Sequence, residues 1–434
     1  MLQAPAVLSL VAVALAAAAS PARAVELSPF ARRAASTRGA EAASAARQAT
    51  PADPRVDPVD PGDEAAWTAD VRAGIAAFGV DPAEATPLLR TLARHPPALH
   101  GLGPLAAYLR SRSMVAAVDQ ILMGLRAAWL CGSEALWAEL AAEARTFGLV
   151  DDDLRRVAEG PDAGWGPWDA TVLRAMDEIY RDSFLSDASW LAFAERYDAQ
   201  QLLDVVFTGA EYVLLSMVAN SLGVEADDRL PDRLPSGAAR TVAPARAAPV
   251  RLAEPRLDPL PPDVWSSEVR ALLDPDGSGG PVLNLYATLA RHPALYRPRA
   301  VQSAYIRTGA TLTGRARELL ILRIGWLCGS EYEWAQHVRV ARQEGLGDEE
   351  IRRVADGPDA PGWDPFEAML LRAADELHRE DTVSEPTWRA LAERYGTAEL
   401  IDVVITVAGY RMVSVALNSL GTQLEPGRER FPAR

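Results

Sequence analysis

One sequence pattern occurs twice in the chain, at a spacing of 197 residues. The segment 126–134 matches 323–331, and both contain Trp-Leu-Cys-Gly-Ser-Glu. Arg-His-Pro at 94–96 recurs at 291–293. After one inserted residue the spacing becomes 198, which places Asn-Ser-Leu-Gly at 220–223 onto 418–421. Because the matches keep their order over about 160 residues, the sequence predicts a duplicated domain.

Within each copy, the apolar residues follow a helical period. The run from Glu318 to Leu327 is apolar almost all round, which is typical of a buried central helix. The segments 348–355 and 388–395 are amphipathic at the same period, and no stretch alternates as a strand would. The sequence therefore predicts an all-α fold. Two tandem helical bundles would pack against each other as an intramolecular pseudo-dimer.

The start of the chain has the pattern of a secretory signal. Residues 7–19 form an uncharged apolar run, and Ala22-Arg23-Ala24 supplies a small-x-small cleavage pattern, although no Lys or Arg precedes the run. We therefore predict a signal peptide at 1–24 and export to the periplasm or the medium. Without cleavage of such a signal, the protein would stay in the cytoplasm.

Composition divides the rest of the chain into domains and connections. Segments rich in Ala, Arg, Ser and Pro without apolar period are typical of disordered or linking chain. We predict a disordered lead-in at 25–60, a first domain at 61–225, a Pro/Ala/Arg-rich linker at 226–262, a second domain at 263–425 and a tail at 426–434.

Charge and residue types exclude several classes of function. The formal net charge of −15 and the lack of a basic stripe argue against nucleic acid as a partner. The chain contains no Lys, so Schiff-base lysine chemistry is excluded. After residue 24 we expect no membrane span. Cys131 and Cys328 occupy equivalent places in the copies and are typical of small buried residues, although a disulfide between them stays open.

The residues that could carry chemistry lie in the second copy. Gly329 could end the buried helix and let Ser330 begin a new one. On that helix Ser330, Glu333 and His337 share one face at positions i, i+3 and i+7. Glu318 would return to the same place if the chain turns at Gly329.

Two carboxylates, a hydroxyl and an imidazole around an apolar pocket can transfer protons. His337 could serve as general acid or base beside Glu333 and Glu318. The other interpretation is a structural His–Glu ion pair. The same residues lack a recognised metal-ligand spacing, so we predict neither a metal nor a cofactor.

The second copy resembles the carboxymuconolactone decarboxylase/AhpD-like family, whose members are all-helical and often duplicated or oligomeric. The segment from Glu318 through His337 is similar to the characteristic segment of that family. The resemblance continues through Gly-Pro-Asp at 357–359, Asp-Glu-Leu-His at 375–378 and Asn-Ser-Leu-Gly at 418–421. It implies a fold of two AhpD-like bundles and allows a homo-oligomer.

The resemblance also assigns roles to residues. The Glu and His of AhpD-type peroxidases fall on Glu318 and His337, and their Cys-x-x-Cys falls on Ser330 and Glu333. Because both thiols are replaced, peroxiredoxin-type activity is disfavoured. The decarboxylase branch implies proton transfer on a small carboxylic acid or lactone. Arg323 would be the nearest cation for an anionic substrate, with Tyr332 and Trp334 as further binding residues; the other interpretation of Arg323 is an ion pair within the bundle.

The first copy lacks these groups. Ile121, Leu136 and Leu140 stand at the positions of Glu318, Glu333 and His337, and only Ser133 is kept. We predict that the first copy is a structural partner for the second. His95 and His292 precede Pro at helix starts and are typical of capping or turn residues, and His378 is placed in a surface turn.

Two functions are compatible with this sequence. The favoured one is a cysteine-independent, lyase-like enzyme that acts on a small-molecule substrate through His337 and Glu333. The alternative is a non-catalytic exported protein that keeps the fold for binding or association.

Overall fold

The computed structural model describes residues 54–236 and 251–432, whose secondary structure is helical without any β-strand. The predicted all-α fold is confirmed, while the predicted signal peptide lies outside the described residues. The first half contains α1 (Ala69–Ala76), α2 (Pro87–Leu92), α3 (Pro96–Ser111), α4 (Ala117–Cys131), α5 (Glu134–Thr146), α6 (Asp151–Glu159), α7 (Pro167–Asp182), α8 (Asp187–Ala194) and α9 (Ala199–Leu222). The second half contains α10 (Ser267–Leu273), α11 (Asn284–Leu289), α12 (Pro293–Ala304), α13 (Gly314–Leu327), α14 (Glu331–Gln343), α15 (Asp348–Asp356), α16 (Pro365–Glu380), α17 (Glu385–Ala392) and α18 (Thr397–Leu420). Short 3₁₀ turns lie at Pro82–Glu84 and Pro262–Val264, and a π-helical turn follows α12 at Tyr305–Gly309.

The helices of the two halves follow the same order. In each half a long buried helix, α4 or α13, ends near a glycine and is followed at once by α5 or α14. Each half closes with a helix of 24 residues, α9 or α18. The duplication itself stays an inference from the repeated sequence, with which these parallels agree.

The central helix of the second half, α13, is enclosed by its neighbours. It packs against α14, α16 and α18, and every residue from Glu318 to Gly325 is buried. A helix enclosed in this way must be apolar on nearly all sides. Polar side chains within it, such as Glu318 and Arg323, therefore need partners from neighbouring helices.

The two halves are packed directly against each other. Helix α9 lies along α18, and α3 lies against α12. One continuous cluster of buried apolar side chains contains residues of both halves. The halves are thus in direct contact, as an intramolecular pairing requires.

Buried polar contacts also cross between the halves. Nε2 of His95 lies 3.2 Å from Oδ1 of Asp402, and Nε2 of His292 lies 3.2 Å from Oδ1 of Asp204. The Tyr108 hydroxyl donates to Asp204 over 3.0 Å within the first half and lies 2.7 Å from Nε2 of His292 in the second. Each histidine does stand at the start of a helix, α3 or α12, but its side chain makes no capping hydrogen bond. The predicted place at a helix start is confirmed, but the rings bind carboxylates of the other half instead of capping the helices.

Parts of the predicted connections are ordered against the core. Val56 and Val59 are buried, so the prediction of disorder is wrong for residues 54–60, while 25–53 lie outside the described residues. Leu257, in the predicted linker, is also buried. In the predicted tail, the ring of Phe431 lies 4.9 Å from that of Trp326. Apolar side chains spaced through these segments hold them on the helices.

Two helices reach the length and hydropathy of a membrane span. They are α9 and α18, and 89% and 100% of their most apolar windows are buried inside the protein. Core helices of soluble proteins have the same length and composition, so this is weak evidence for a span.

Candidate functional site

The turn between α13 and α14 positions the candidate site. Gly329 adopts a φ of +63°, a left-handed conformation that favours glycine, and the Ser330 N–H donates to the Gly325 carbonyl over 2.8 Å. Ser330 is then the N-cap residue of α14. The predicted helix break and restart are confirmed. The turn folds α14 back on α13, so that Glu333 and His337 face Glu318.

His337 lies between two carboxylates. Its Nδ1 is 2.6 Å from Oε2 of Glu318, and its Nε2 is 3.0 Å from Oε1 of Glu333. The side chain of His337 is 12% exposed, that of Glu333 6% and that of Glu318 1%. The structure therefore brings together the three titratable residues that the sequence predicted. Arg317 Nε, 3.2 Å away, donates to the other oxygen of Glu318.

The two carboxylates control the ionisation of His337. Burial by itself would lower the pKa of the imidazole, but the charges and hydrogen bonds of Glu318 and Glu333 outweigh it and raise the pKa to about 10. At neutral pH, His337 is therefore an imidazolium held between two acceptors. In this state it can donate a proton.

A pocket opens beside this group. It contains about 690 Å³ of space that protein atoms do not fill, part of it open to solvent. Helices α11, α12, α14 and α18 form its walls. The aliphatic lining consists of Leu283, Leu285, Leu289, Ala300 and Val413, and the aromatic lining includes Tyr286, Tyr296, Tyr410 and Phe207. Phe207 belongs to α9, so the first half contributes to the wall.

The polar lining of the pocket contains His337 and Glu333, while Glu318 lies behind them. The Tyr410 ring packs edge-on against His337 at a centroid distance of 4.9 Å. Burial and the nearby charges of Glu333 and Glu318 keep the pKa of Tyr410 well above its usual range, so its hydroxyl stays protonated. A proton donor, an acid and a carboxylate thus border one apolar space, as enzyme pockets commonly do.

The comparison with known proteins identifies this region. Residues 295–376 match the model of the carboxymuconolactone decarboxylase family. The matched segment runs from α12 into α16 and contains Glu318, Glu333 and His337. No curated protein matches the chain.

Three other predicted site residues of the carboxymuconolactone decarboxylase segment lie in different surroundings. Ser330 is fully buried, and its hydroxyl has no hydrogen-bond partner in the described chain; it does not line the pocket. Tyr332 does line the pocket, and its hydroxyl donates to Glu425 over 2.6 Å. Trp334 packs against Trp326 and is absent from the pocket wall. Substrate contact is therefore compatible with Tyr332 alone among the three.

Arg323 is not placed for substrate binding. Its Nε and Nη2 lie 2.5 and 3.0 Å from the carboxylate of Asp375, and its Nη1 donates to the carbonyls of Val354 and Ala355. Arg126 makes the corresponding contacts in the first half. Arg323 thus links α13, α15 and α16. Its assignment as a substrate-binding residue is wrong, and the predicted alternative, an ion pair within the bundle, is what the structure contains.

A buried arginine that does line the pocket is Arg299, which was not predicted from the sequence. It lies on α12 and is 9% exposed. Ser303 and Arg307 follow at intervals of four residues and also line the pocket. This spacing on one helical face was a usable signal in the sequence. The spacing indicates that these three residues share one face of the helix. It does not indicate that this face borders the pocket.

The corresponding part of the first half is filled by packing. Ile121, Leu136 and Leu140 are all buried among apolar side chains. The Ser133 hydroxyl is buried without a hydrogen-bond partner among the described residues. The acid, base and carboxylate positions of the carboxymuconolactone decarboxylase segment have no polar equivalent here.

The cysteines and His378 lie apart from the pocket. Cys131 and Cys328 are buried and are not joined in a disulfide. His378 is part of α16 rather than a surface turn, and its Nδ1 lies 3.9 Å from Sγ of Cys328. Burial, with the nearby charges of Arg411, Arg379 and Arg323, lowers the pKa of His378 to about 3. Burial also raises the pKa of the Cys328 thiol, which disfavours the reactive thiolate.

No cluster of three or more His, Cys, Asp or Glu side chains within residues 54–236 and 251–432 has the arrangement of a metal site.

Proposed function

We propose that the second half is a cysteine-independent enzyme that transfers a proton to or from a small carboxylic acid or lactone. The observation that carries the proposal is His337, bound by Glu318 and Glu333 at the wall of an apolar pocket. Acids and bases with shifted pKa values in a cleft are typical of catalytic sites. The match to the carboxymuconolactone decarboxylase family supports this class of reaction.

The three groups have different roles in this proposal. Glu318 does not border the pocket, so it is a positioning residue that holds the imidazole and favours its charged form. Glu333 and His337 border the pocket and are the catalytic residues. Because His337 carries a proton at neutral pH, it acts as the acid.

A decarboxylation balances with these groups alone. In a substrate with a carbonyl β to its carboxylate, the bond between the substrate carbon and the carboxylate breaks, carbon dioxide leaves, and the electron pair remains as an enolate. The enolate takes a proton from His337, directly or through Glu333, and solvent returns a proton to the imidazole. An isomerisation would use the same relay, with Glu333 taking the first proton from carbon. The Tyr410 hydroxyl can donate a hydrogen bond to the enolate oxygen.

Dithiol peroxidase chemistry is not part of the proposal. Such turnover needs two thiols that exchange with a disulfide. The two positions that correspond to the thiols are Ser330 and Glu333, and Cys328 is buried with a raised pKa.

The alternative is a non-catalytic binding protein in which the three charges only stabilise the fold. Both ring nitrogens of His337 are engaged by carboxylates, and a structural ion cluster would have the same contacts. Export rests on residues 1–24 alone and stays a prediction, as does the formation of a homo-oligomer.

Proton transfer can be tested without knowing the physiological substrate. A panel of lactone carboxylates, β-keto acids and aromatic acids is incubated with the protein in D₂O, and NMR follows deuterium uptake and loss of carbon dioxide. We expect turnover of at least one class by the wild type and by Leu140→Val, the matched change in the first half. Turnover should be lost in His337→Gln and in Glu333→Gln. Equal turnover in His337→Gln would contradict the proposal and leave the binding alternative.

A further inference from the structure

Arg299 differs from the other buried arginines of the protein. In the described chain, four arginines are buried: Arg126, Arg299, Arg323 and Arg411. Three of them bind an aspartate: Arg126 binds Asp177 at 2.6 Å, Arg323 binds Asp375 at 2.5 Å and Arg411 binds Asp381 at 3.0 Å. Arg299 has no carboxylate within 4.0 Å among the described residues, and its Nη1 has no hydrogen-bond partner there.

An unpaired guanidinium in this position is costly for the folded protein. Removing a charge from water destabilises the folded state strongly unless a partner compensates the charge. Glu333 and Glu211 contribute favourable charge, but burial still lowers the pKa of Arg299. A guanidinium has five N–H donors in a planar fork that fits a carboxylate. The missing partner therefore has the chemistry of a carboxylate.

The surroundings of Arg299 define the rest of such a ligand. The pocket offers four tyrosines and Phe207 next to several leucines, which suits a flat or compact apolar body. Glu333 and His337 border the same space.

The two halves differ at this position. Leu102, at the same 197-residue spacing, replaces Arg299 and is fully buried. By contrast, Arg110 stands at the position of Arg307, and Tyr212 at the position of Tyr410. The first half therefore lacks the buried arginine together with the acid and both carboxylates, while it keeps the outer arginine and the tyrosine.

We propose that Arg299 is the anchor for a carboxylate of the substrate, and that the substrate carries this carboxylate on a compact, apolar, ring-sized body. This inference rests on the proposed function only in taking the pocket as the place where the substrate binds. Arg307, which is exposed at the pocket, assists the approach of the anion.

Binding of benzoate tests the anchor directly. Calorimetry and the NMR shifts of the His337 ring follow titration with benzoate, with benzamide as the neutral analogue and acetate as the analogue without a ring. We expect saturable binding of benzoate that is at least roughly tenfold tighter than that of benzamide or acetate. Arg299→Gln should weaken the binding of benzoate by roughly tenfold or more and leave the affinity for benzamide unchanged. Only the carboxylate of benzoate loses its charged partner in this variant.

Three further variants keep the outcome interpretable. Arg299→Lys keeps the charge but not the fork, so it should bind benzoate with intermediate affinity. Arg307→Gln should reduce benzoate affinity less than Arg299→Gln does, and this reduction should become smaller at high salt. His337→Gln should still bind benzoate through Arg299, so a failure of catalysis is separated from a failure of the anchor. Equal benzoate affinity in folded wild type and folded Arg299→Gln would overturn the proposal, as would the lack of saturable benzoate binding to the wild type.

Discussion

Nδ1 of His337 lies 2.6 Å from Oε2 of Glu318, a carboxylate that is only 1% exposed. The second ring nitrogen faces Glu333, which borders the pocket. One carboxylate therefore holds the imidazole from inside the protein, while the other can meet a ligand. Because only Glu333 borders the pocket, substitutions of Glu318 and Glu333 can separate the positioning of His337 from contact with the ligand.

Glu318→Gln should impair proton transfer without affecting binding. The amide cannot stabilise the imidazolium by charge, so the pKa of His337 falls and less of the acid form is available. With any substrate found by the D₂O screen, we expect kcat to fall by roughly 10²-fold and KM to stay within a factor of about three. Steady-state kinetics check this split. A rise in KM at constant kcat would show that Glu318 acts on binding instead.

The imidazolium should also make stability depend on pH on the alkaline side. The folded-state pKa of about 10 exceeds the ordinary value of 6.5. The stabilisation is therefore complete below about pH 6.5 and is lost as pH rises through 10. The free energy of unfolding, measured by urea denaturation, should drop between pH 7 and pH 10 more in the wild type than in His337→Gln, by on the order of 1–3 kcal/mol. Parallel curves for the two proteins would contradict the raised pKa.

Arg323→Met should reduce stability rather than ligand binding. The change leaves the buried carboxylate of Asp375 without its cation, at a cost of ~3–5 kcal/mol. The matched change Arg126→Met should cost less, because Asp177 is 17% exposed and Asp375 7%. Denaturation provides the energies, and the benzoate titration should give wild-type affinity for the folded variant. Loss of benzoate affinity in folded Arg323→Met would restore Arg323 as a binding residue.

Leu140→Ala should likewise act through packing. Leu140 is 7% exposed and occupies the position of His337 in the first half. Truncation of a buried leucine costs ~2–5 kcal/mol, depending on how far the site collapses. The unfolding energy should fall by this amount while the His337 titration is unchanged. A shift in the pKa of His337 would show that the first half acts on the site beyond its contribution of Phe207.

Local spacing was sufficient to predict the centre of the site. The break at Gly329, the restart at Ser330 and the one-turn interval between Glu333 and His337 are properties of neighbouring residues on one or two helices. The approach of Glu318 followed from a single tight turn. These features depend little on how distant parts of the chain pack.

Residues whose roles depend on tertiary packing were predicted less well. Arg323 and Arg299 are both arginines on helices, and only the placement of α16 and α18 decides which one is paired and which borders the pocket. His95 and His292 bind carboxylates about 300 and 90 residues away in sequence, across the contact between the halves. No local pattern contains that information. The burial of Val56 and Val59 was missed for the same reason. These two valines lie in a Pro-rich segment without a helical period, yet they pack on the core.

The most direct test of the account is an NMR titration of His337 in wild type, Glu333→Gln and Glu318→Gln. We expect a wild-type pKa of His337 near 10 and a clearly lower value in each variant, because each change removes one of the two carboxylates that stabilise the charged ring. A wild-type value near the ordinary 6.5, unmoved by either substitution, would contradict a coupled acid at the pocket and with it the proposed proton transfer.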